Sequence, residues 1–267
     1  MMPDPSIAAA EQTETARHLI AQAQLDVVDL VTLSALELCV LDGPRHPVFD
    51  KRVAQAWTRV TDRRRRKVTE EVTAGLVRRG LLIDGAGQQH PAVQAVGSYS
   101  FKPELGLMLA ARCRPAFVVL AKGERDDLRP LSLFALGDQA DPTQAIVAEL
   151  PAGLPPDRAA HYPDARKLGP LGWIYRYVLV STANAADLLA RWTMTPPAQP
   201  GDAAPVPYLV SAYCPDPQDP VGYHLRVRGD GTRAVVDGPG IASAQPANHD
   251  LEQLRGIMLD LLARASR

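Results

Sequence analysis

Cysteine is scarce in this sequence, and the spacing of the cysteines excludes two kinds of structural cross-link. The 267 residues include 3 cysteines, Cys39, Cys113 and Cys214, which are far apart and form no CxxC pair. A disulfide framework needs more cysteines, and a structural zinc site needs closely spaced pairs. We therefore expect free thiols and a reducing, cytoplasmic setting.

Long apolar runs are also lacking. The longest, LGLMLAA and AFVVLA, are far shorter than the roughly 20 apolar residues that a membrane helix needs. The opening stretch MMPDPSIAAAEQTET has neither the basic segment nor the apolar segment of a secretory signal. We expect no membrane contact and no signal peptide, and we interpret residues 1–15 as a flexible leader.

Common catalytic, nucleotide-binding and metal-binding sequence motifs are missing as well. None of the 6 histidines stands at metal-ligand spacing from another ligand, and the chain has no GxSxG, P-loop or GxGxxG motif. We therefore expect no catalytic residue, no metal and no cofactor, and the protein is interpreted as a non-enzymatic binding protein. A Ser, His and Asp set that assembles only in space is the remaining route to an enzyme.

Residues 16–97 carry the signals of a helical domain that ends in a strand and a turn. Apolar spacing predicts an amphipathic helix at 16–30 and further short helices in TLSALELCVLDG, VFDKRVAQAWTRV and VTEEVTAGLVRRGLLI. Ser34 and Glu37 form a capping-box pattern, and Gly80 stands where a left-handed cap would end the last of these helices. The stretch LVRRGLLIDGAG then continues into a predicted strand and turn. These short helices, with the glycine cap and the strand, resemble a winged helix-turn-helix. Residues 88–99 either complete the wing or form another helix.

The remaining residues, 98–267, predict an α+β domain. Short apolar runs bounded by turn residues indicate strands, and they are followed by helical patterns. This order occurs twice, in halves of about 98–195 and 205–267, with a proline-rich linker at 195–207. The predicted fold class is therefore α+β: a winged-helix-like helical domain followed by a mixed or antiparallel sheet with flanking helices.

Charge is segregated near the start of the chain. Residues 1–42 hold one basic and seven acidic residues, whereas residues 43–80 hold eleven basic and four acidic residues. The basic excess peaks at five successive cations, which would lie at the start of the third helix, where helix-turn-helix proteins meet base edges. The DNA-binding hypothesis names Arg63, Arg64, Arg65, Arg66 and Lys67. The alternative is a solvated face, or one that contacts protein.

Two further features suggest binding surfaces. A long loop is predicted at 151–172 from its proline, aspartate and glycine content. His161, Tyr162 and Trp173 lie in or beside this loop and are candidate ligand or partner contacts, since long loops are often functional. The apolar stripe of the predicted helix 250–265 is interpreted as core, and it also leaves a homodimer open.

The element order also resembles a second family. The succession LVRRGLLIDGAG, PELGLMLAARCRPAFVVLA and two sheet-plus-helix halves is similar to EspG-type chaperones of actinobacterial type VII (ESX) secretion. That resemblance implies a cytosolic, non-enzymatic protein that holds a PE/PPE substrate pair, but the opening helix departs from the family's usual strand start. The two functions under consideration are thus a winged-helix transcriptional regulator, with a C-terminal sensor or dimerisation domain, and a protein-binding chaperone.

Overall fold

The chain has an α+β fold with an extensive antiparallel sheet. The structure, a computed structural model, describes residues 5–43, 50–84, 99–124, 129–136, 145–153, 165–195, 207–213, 222–238 and 247–266. The helices are α1 (Pro5–Ala23), α2 (Ala35–Leu41), α3 (Lys51–Thr58), α4 (Asp62–Arg78), α5 (Pro103–Cys113), α6 (Thr182–Met194) and α7 (Leu251–Ala265), with a 3-10 segment at Ala165–Gly172. The strands are β1 (Val28–Ser34), β2 (Leu82–Asp84), β3 (Tyr99–Phe101), β4 (Val118–Gly123), β5 (Leu131–Leu136), β6 (Ala145–Ala152), β7 (Ile174–Val180), β8 (Tyr208–Tyr213), β9 (Gly222–Gly229), β10 (Ala234–Asp237) and β11 (Ala247–His249).

Two compact units divide the chain, and each is assembled from separated segments. The first unit contains Met1–Leu19, Asp29–Cys113 and Pro151–Tyr177. The second contains Ile20–Val28, Arg114–Leu150 and Val178–Arg267. The predicted domains, 16–97 and 98–267, follow the chain continuously, whereas the units do not: α5 and the 3-10 segment both belong to the first unit.

The second unit is a sheet with helices packed on one face. Its strands follow the order β6-β5-β4-β8-β9-β10-β11, with residues 178–180 at the end of β7 next to β6, so strands from both predicted sheet-plus-helix halves share one sheet. In β9, buried Leu225 and Val227 alternate with exposed Arg226 and Arg228, as expected for a strand with one covered face. The buried side joins the apolar stripe of α7, namely Leu254, Met258, Leu261 and Leu262, in one core. These α7 residues are therefore core residues, as predicted.

The first unit contains the helical elements that the sequence predicted. Helices α2, α3 and α4 precede β2 and β3, which pair antiparallel with Leu82 opposite Phe101. The Ser34–Glu37 capping box is present, and Gly80 has a φ of 64°, the left-handed conformation expected of a glycine cap. Of the stretch 88–99, only Tyr99 is described, and it lies in β3; the predicted turn at 85–87 lies outside the described residues.

The N-terminal prediction was wrong in two respects. Helix α1 begins at Pro5, so most of the predicted flexible leader 1–15 is helical. The same helix ends at Ala23, seven residues before the end of the predicted helix 16–30. The sequence PSIAAAEQTETARHLIAQA is rich in Ala, Gln and Glu, which favour helix, and proline is well tolerated in a first turn. The segment VDLVTLS is a strand because it is rich in β-branched residues and finds a partner in β7. The apolar spacing that includes Val27 had extended the helical pattern too far.

The loops were also predicted only in part. The loop prediction at 151–172 missed the 3-10 segment and the end of β6. Most of the linker 195–207 lies outside the described residues. Strand β11 was missed because ANH has neither alternation nor β-branched residues, and pairing with β10 alone defines it.

Candidate nucleic-acid interface

Helices α3 and α4 of the first unit are joined by a short turn. Thr58 ends α3 and Asp62 begins α4, so the three residues 59–61 make the turn. Asp50 caps α3 by accepting a hydrogen bond from the amide of Arg52, and Val53 and Trp57 bury the inner face of that helix. A turn of three to four residues is typical of DNA-binding helix pairs.

Helix α4 has one buried face and one exposed face. Thr73 and Leu76 are buried, whereas Arg63 and Lys67 are exposed one helical turn apart. Residues at i and i+4 share a face, so these two cations project from the same side of the helix. Arg64 and Arg66 are exposed on either flank of that side. The first two turns of α4 therefore present four of the five predicted cations to solvent.

Arg65 differs from its neighbours because it faces inward. Its Nη2 donates to the carbonyls of Trp57, at 3.4 Å, and Val60, at 3.1 Å, and its guanidinium carbon lies 5.3 Å from the centre of the Trp57 ring. Its Nη1 lies 3.4 Å from Asp62 Oδ1. A cation that binds the last carbonyls of a helix stabilises that helix end. Arg65 thus joins α4 to α3, and the nucleic-acid hypothesis rests on the other four cations.

The exposed cations of this region have few counter-charges. In the part of the chain that the structure describes, the side chains of Arg59, Arg63, Arg64 and Arg66 have no ion pair or hydrogen bond. Lys67 has a long ion pair with Glu71, at 3.7 Å, between two exposed groups. Such a pair contributes little stability in water. The cations therefore remain available to an anionic partner.

Other arginines of the same unit are paired at short distance. Arg79 Nη1 lies 2.6 Å from Glu37 Oε1, and its Nη2 donates to the carbonyl of Thr32 at 2.6 Å. Arg112 Nε lies 2.9 Å from Asp42 Oδ2, with both side chains almost fully buried. The absence of partners around the α3–α4 turn is thus a local property, not a general one of this unit.

The predicted loop residues are placed only in part. Trp173 lies against Arg52, whose guanidinium carbon is 4.5 Å from the centre of the indole ring, and its carbonyl accepts a hydrogen bond from the amide of Ala35. His161 and Tyr162 lie outside the described residues, so their proposed ligand contacts stay a prediction. Trp173 itself supports the start of α3 and the start of α2.

Sequence reasoning missed a cleft next to this basic surface. The cleft is formed by α2, α3, α4 and the 3-10 segment, and Arg59 and Arg64 lie on its wall. The other wall residues come from four separate elements, so no local motif connects them. The available signal was the pair of half-buried apolar residues Val60, in the turn, and Val68, in α4.

Neither a metal centre nor a membrane span is found among the described residues. There, no group of three or more His, Cys, Asp or Glu side chains is arranged to hold a metal ion. Nor does any helix of that part combine the length and the apolar character that crossing a membrane requires. Comparisons with protein-family models, curated proteins and solved structures find no match.

Proposed function

We propose that this protein binds DNA through the α3–α4 helix-turn-helix, as a winged-helix type of transcriptional regulator. The observation that carries the proposal is a group of exposed cations at the start of α4, Arg63, Arg64 and Arg66. Among the described residues they have no ion pair or side-chain hydrogen bond, whereas other arginines of the same unit are ion-paired. Cations at a helix N-terminus oppose the helix dipole, at a cost of about 0.3–1 kcal/mol each. Phosphate binding offsets such a cost.

We propose different roles for the individual cations. The N-terminal residues of a recognition helix meet base edges, and arginine pairs with guanine through two hydrogen bonds. Arg63 and Lys67, on the outward face of α4, are the proposed groove contacts. Arg59, in the turn, and Lys51, at the start of α3, are exposed and are the proposed phosphate contacts. The pair β2–β3 follows α4 where a wing would stand.

The experiment measures binding to fluorescein-labelled 30-base-pair duplexes of random sequence, by anisotropy, and selects preferred sites from the same pool. Arg63→Ala and Lys67→Ala together should weaken binding at least tenfold, since each removes a charged contact. Arg78→Ala is the matched control: Arg78 is exposed on the same helix, about 22 Å along its axis from Arg63 at 1.5 Å per residue. Its substitution should leave affinity within about twofold.

Two outcomes oppose the proposal. The Arg78→Ala control could weaken DNA binding as much as the Arg63→Ala, Lys67→Ala double variant does. That result would mean that DNA responds to overall charge and not to a specific site. Absence of DNA binding, together with a protein complex that survives nuclease and high salt, would favour the chaperone of the EspG type.

A further inference from the structure

The cleft beside the α3–α4 turn is small and is lined by apolar side chains and two arginines. Its volume is about 260 Å³. That is just below the range of about 300–1,000 Å³ typical of pockets for drug-sized ligands. Six apolar residues and two arginines line it: Leu36, Ala56, Val60, Val68, Leu168 and Leu171, with Arg59 and Arg64.

The lining combines uncovered apolar surface with unpartnered positive charge. Among the apolar residues only Leu171 is buried; the other five are half-buried, so their side chains still meet solvent. Neither Arg59 nor Arg64 has an ion pair or side-chain hydrogen bond in the described part of the chain. An apolar wall favours a hydrocarbon or aromatic body, and guanidinium groups bind carboxylates through strong charge-assisted hydrogen bonds.

We propose that this cleft is a binding site for a small apolar carboxylate. The carboxylate binds at Arg59 and Arg64, and the apolar body packs on Leu36, Val68 and Leu168. A neutral apolar molecule would leave the guanidinium groups unmatched, and a small inorganic anion would leave the apolar wall uncovered. The volume fits molecules of the size of benzoate or octanoate.

The site has a consequence for DNA binding, and this part rests on the proposed function. Arg59 and Arg64 both belong to the basic surface assigned to DNA, and Val68 lies on α4 itself. A bound carboxylate neutralises charge there and competes with phosphate. We expect the ligand to weaken DNA binding, which would make the helix-turn-helix responsive to a metabolite of this class.

The test is calorimetric titration of the full chain with octanoate and, separately, with 1-octanol. Octanoate should bind about tenfold or more tightly than the alcohol, because hydrogen bonds to charged groups are the strong ones. Arg59→Gln with Arg64→Gln should abolish that preference, whereas Arg78→Gln should retain it. Arg59 and Arg64 are exposed, so these variants should fold, and circular dichroism melts verify it.

A second variant tests the apolar wall independently of charge. Ala56→Phe inserts a ring into the cleft and should weaken octanoate at least tenfold while the melting curve stays two-state. Undetectable octanoate binding to the wild type, or equal affinity for the alcohol, overturns the proposal, as does unchanged affinity in both variants.

The DNA arm separates the two proposals. Octanoate that binds the wild type and raises the Kd for duplex DNA supports both. Octanoate binding without an effect on DNA affinity overturns the coupling alone, and octanoate binding by a protein that binds no DNA overturns the proposed function alone.

Discussion

The first unit contains both buried ion pairs and exposed cations that have no partner among the described residues. Arg112 and Asp42 are 1% and 2% exposed and form one of the buried pairs. Arg112 Nη1 also donates to the hydroxyl of Tyr177 at 3.4 Å, and burial raises the pKa of Tyr177, so this phenol stays neutral. A buried charge that loses its partner is strongly destabilising, so these residues are structural.

Asp42→Asn removes the negative charge beside Arg112 and should lower the free energy of unfolding by about 3–5 kcal/mol. Urea denaturation measures this loss. Asp29→Asn is the control, because Asp29 and its partner Arg176 are 67% and 49% exposed and should contribute at most about 1 kcal/mol. Similar losses for the two variants would contradict the distinction between buried and exposed pairs.

Two described cysteines should differ in reactivity. Burial raises the pKa of Cys39 from 9.0 to about 12, while Cys113 is exposed and its Sγ donates to Asp42 Oδ1 at 3.2 Å. In a Cys214→Ser background at pH 8, a disulfide reagent should modify one thiol rapidly, and Cys113→Ser should remove that reaction. Rapid modification of Cys39 in the folded protein would refute the assignment.

The raised pKa of Cys39 makes the stability of the fold depend on pH. The unfolded chain releases the Cys39 proton near pH 9.0, and the folded chain releases it only near 12. The contribution of this thiol to stability is therefore present below pH 9.0 and is lost as pH rises through that window.

At the scale of elements, the close contact between α6 and the β9–β10 hairpin positions the helix layer of the second unit. A Cβ on Gly229 would stand 2.2 Å from the carbonyl oxygen of Met194, the last residue of α6. The amide of Gly231 donates to that same oxygen at 3.0 Å. Glycine is required at 229 because backbone, rather than a flexible side chain, occupies the space.

Gly229→Ala should therefore destabilise the protein by about 1–3 kcal/mol, as overpacking does. Gly256→Ala in α7 is the opposite case, since no atom of the described residues beyond its own stretch of helix backbone lies within 4 Å of the added Cβ. That helical position should gain about 0.5–1 kcal/mol. Thermal melts of the two variants should move in opposite directions, and a shift of both in the same direction would contradict this packing.

Elements with local signals were predictable from sequence, and elements defined by distant pairing were not. The capping box at Ser34, the glycine cap at Gly80 and the stripe of α7 depend on residues within one or two turns, and all three are present. Helix α1 was extended too far because one apolar residue kept the helical spacing. Strand β11 has no local pattern at all.

The candidate site was likewise predictable only where its residues are close in sequence. The run of five cations was visible in the sequence, but its geometry was not. Arg65 turns inward because α3 offers it the carbonyl and the ring of Trp57, and the turn offers it the carbonyl of Val60. The cleft joins Leu36 to Leu168, which are far apart in the chain. Only the folded structure brings such residues together.

At the scale of the whole molecule, the near-neutral net charge is the sum of an acidic segment and a basic segment. The chain carries a formal net charge of −1, and residues 1–42 are strongly acidic. Several of those acids have arginine partners from other segments: Asp29 with Arg176, Glu37 with Arg79 and Asp42 with Arg112. Around the α3–α4 turn, Arg59, Arg63, Arg64 and Arg66 have no such partner among the described residues, so a local positive charge remains there. Because that charge is local, binding to a polyanion should depend on few side chains.

The measurement that tests the central claim most directly is the salt dependence of DNA binding. The logarithm of the association constant should fall linearly with the logarithm of salt concentration, with a slope near 0.9 per phosphate contact. Arg59→Ala with Lys51→Ala should reduce that slope by about 2, while Arg78→Ala should leave it unchanged. A wild-type slope near zero, or the same slope in all three proteins, would contradict the assignment of this helix pair to DNA.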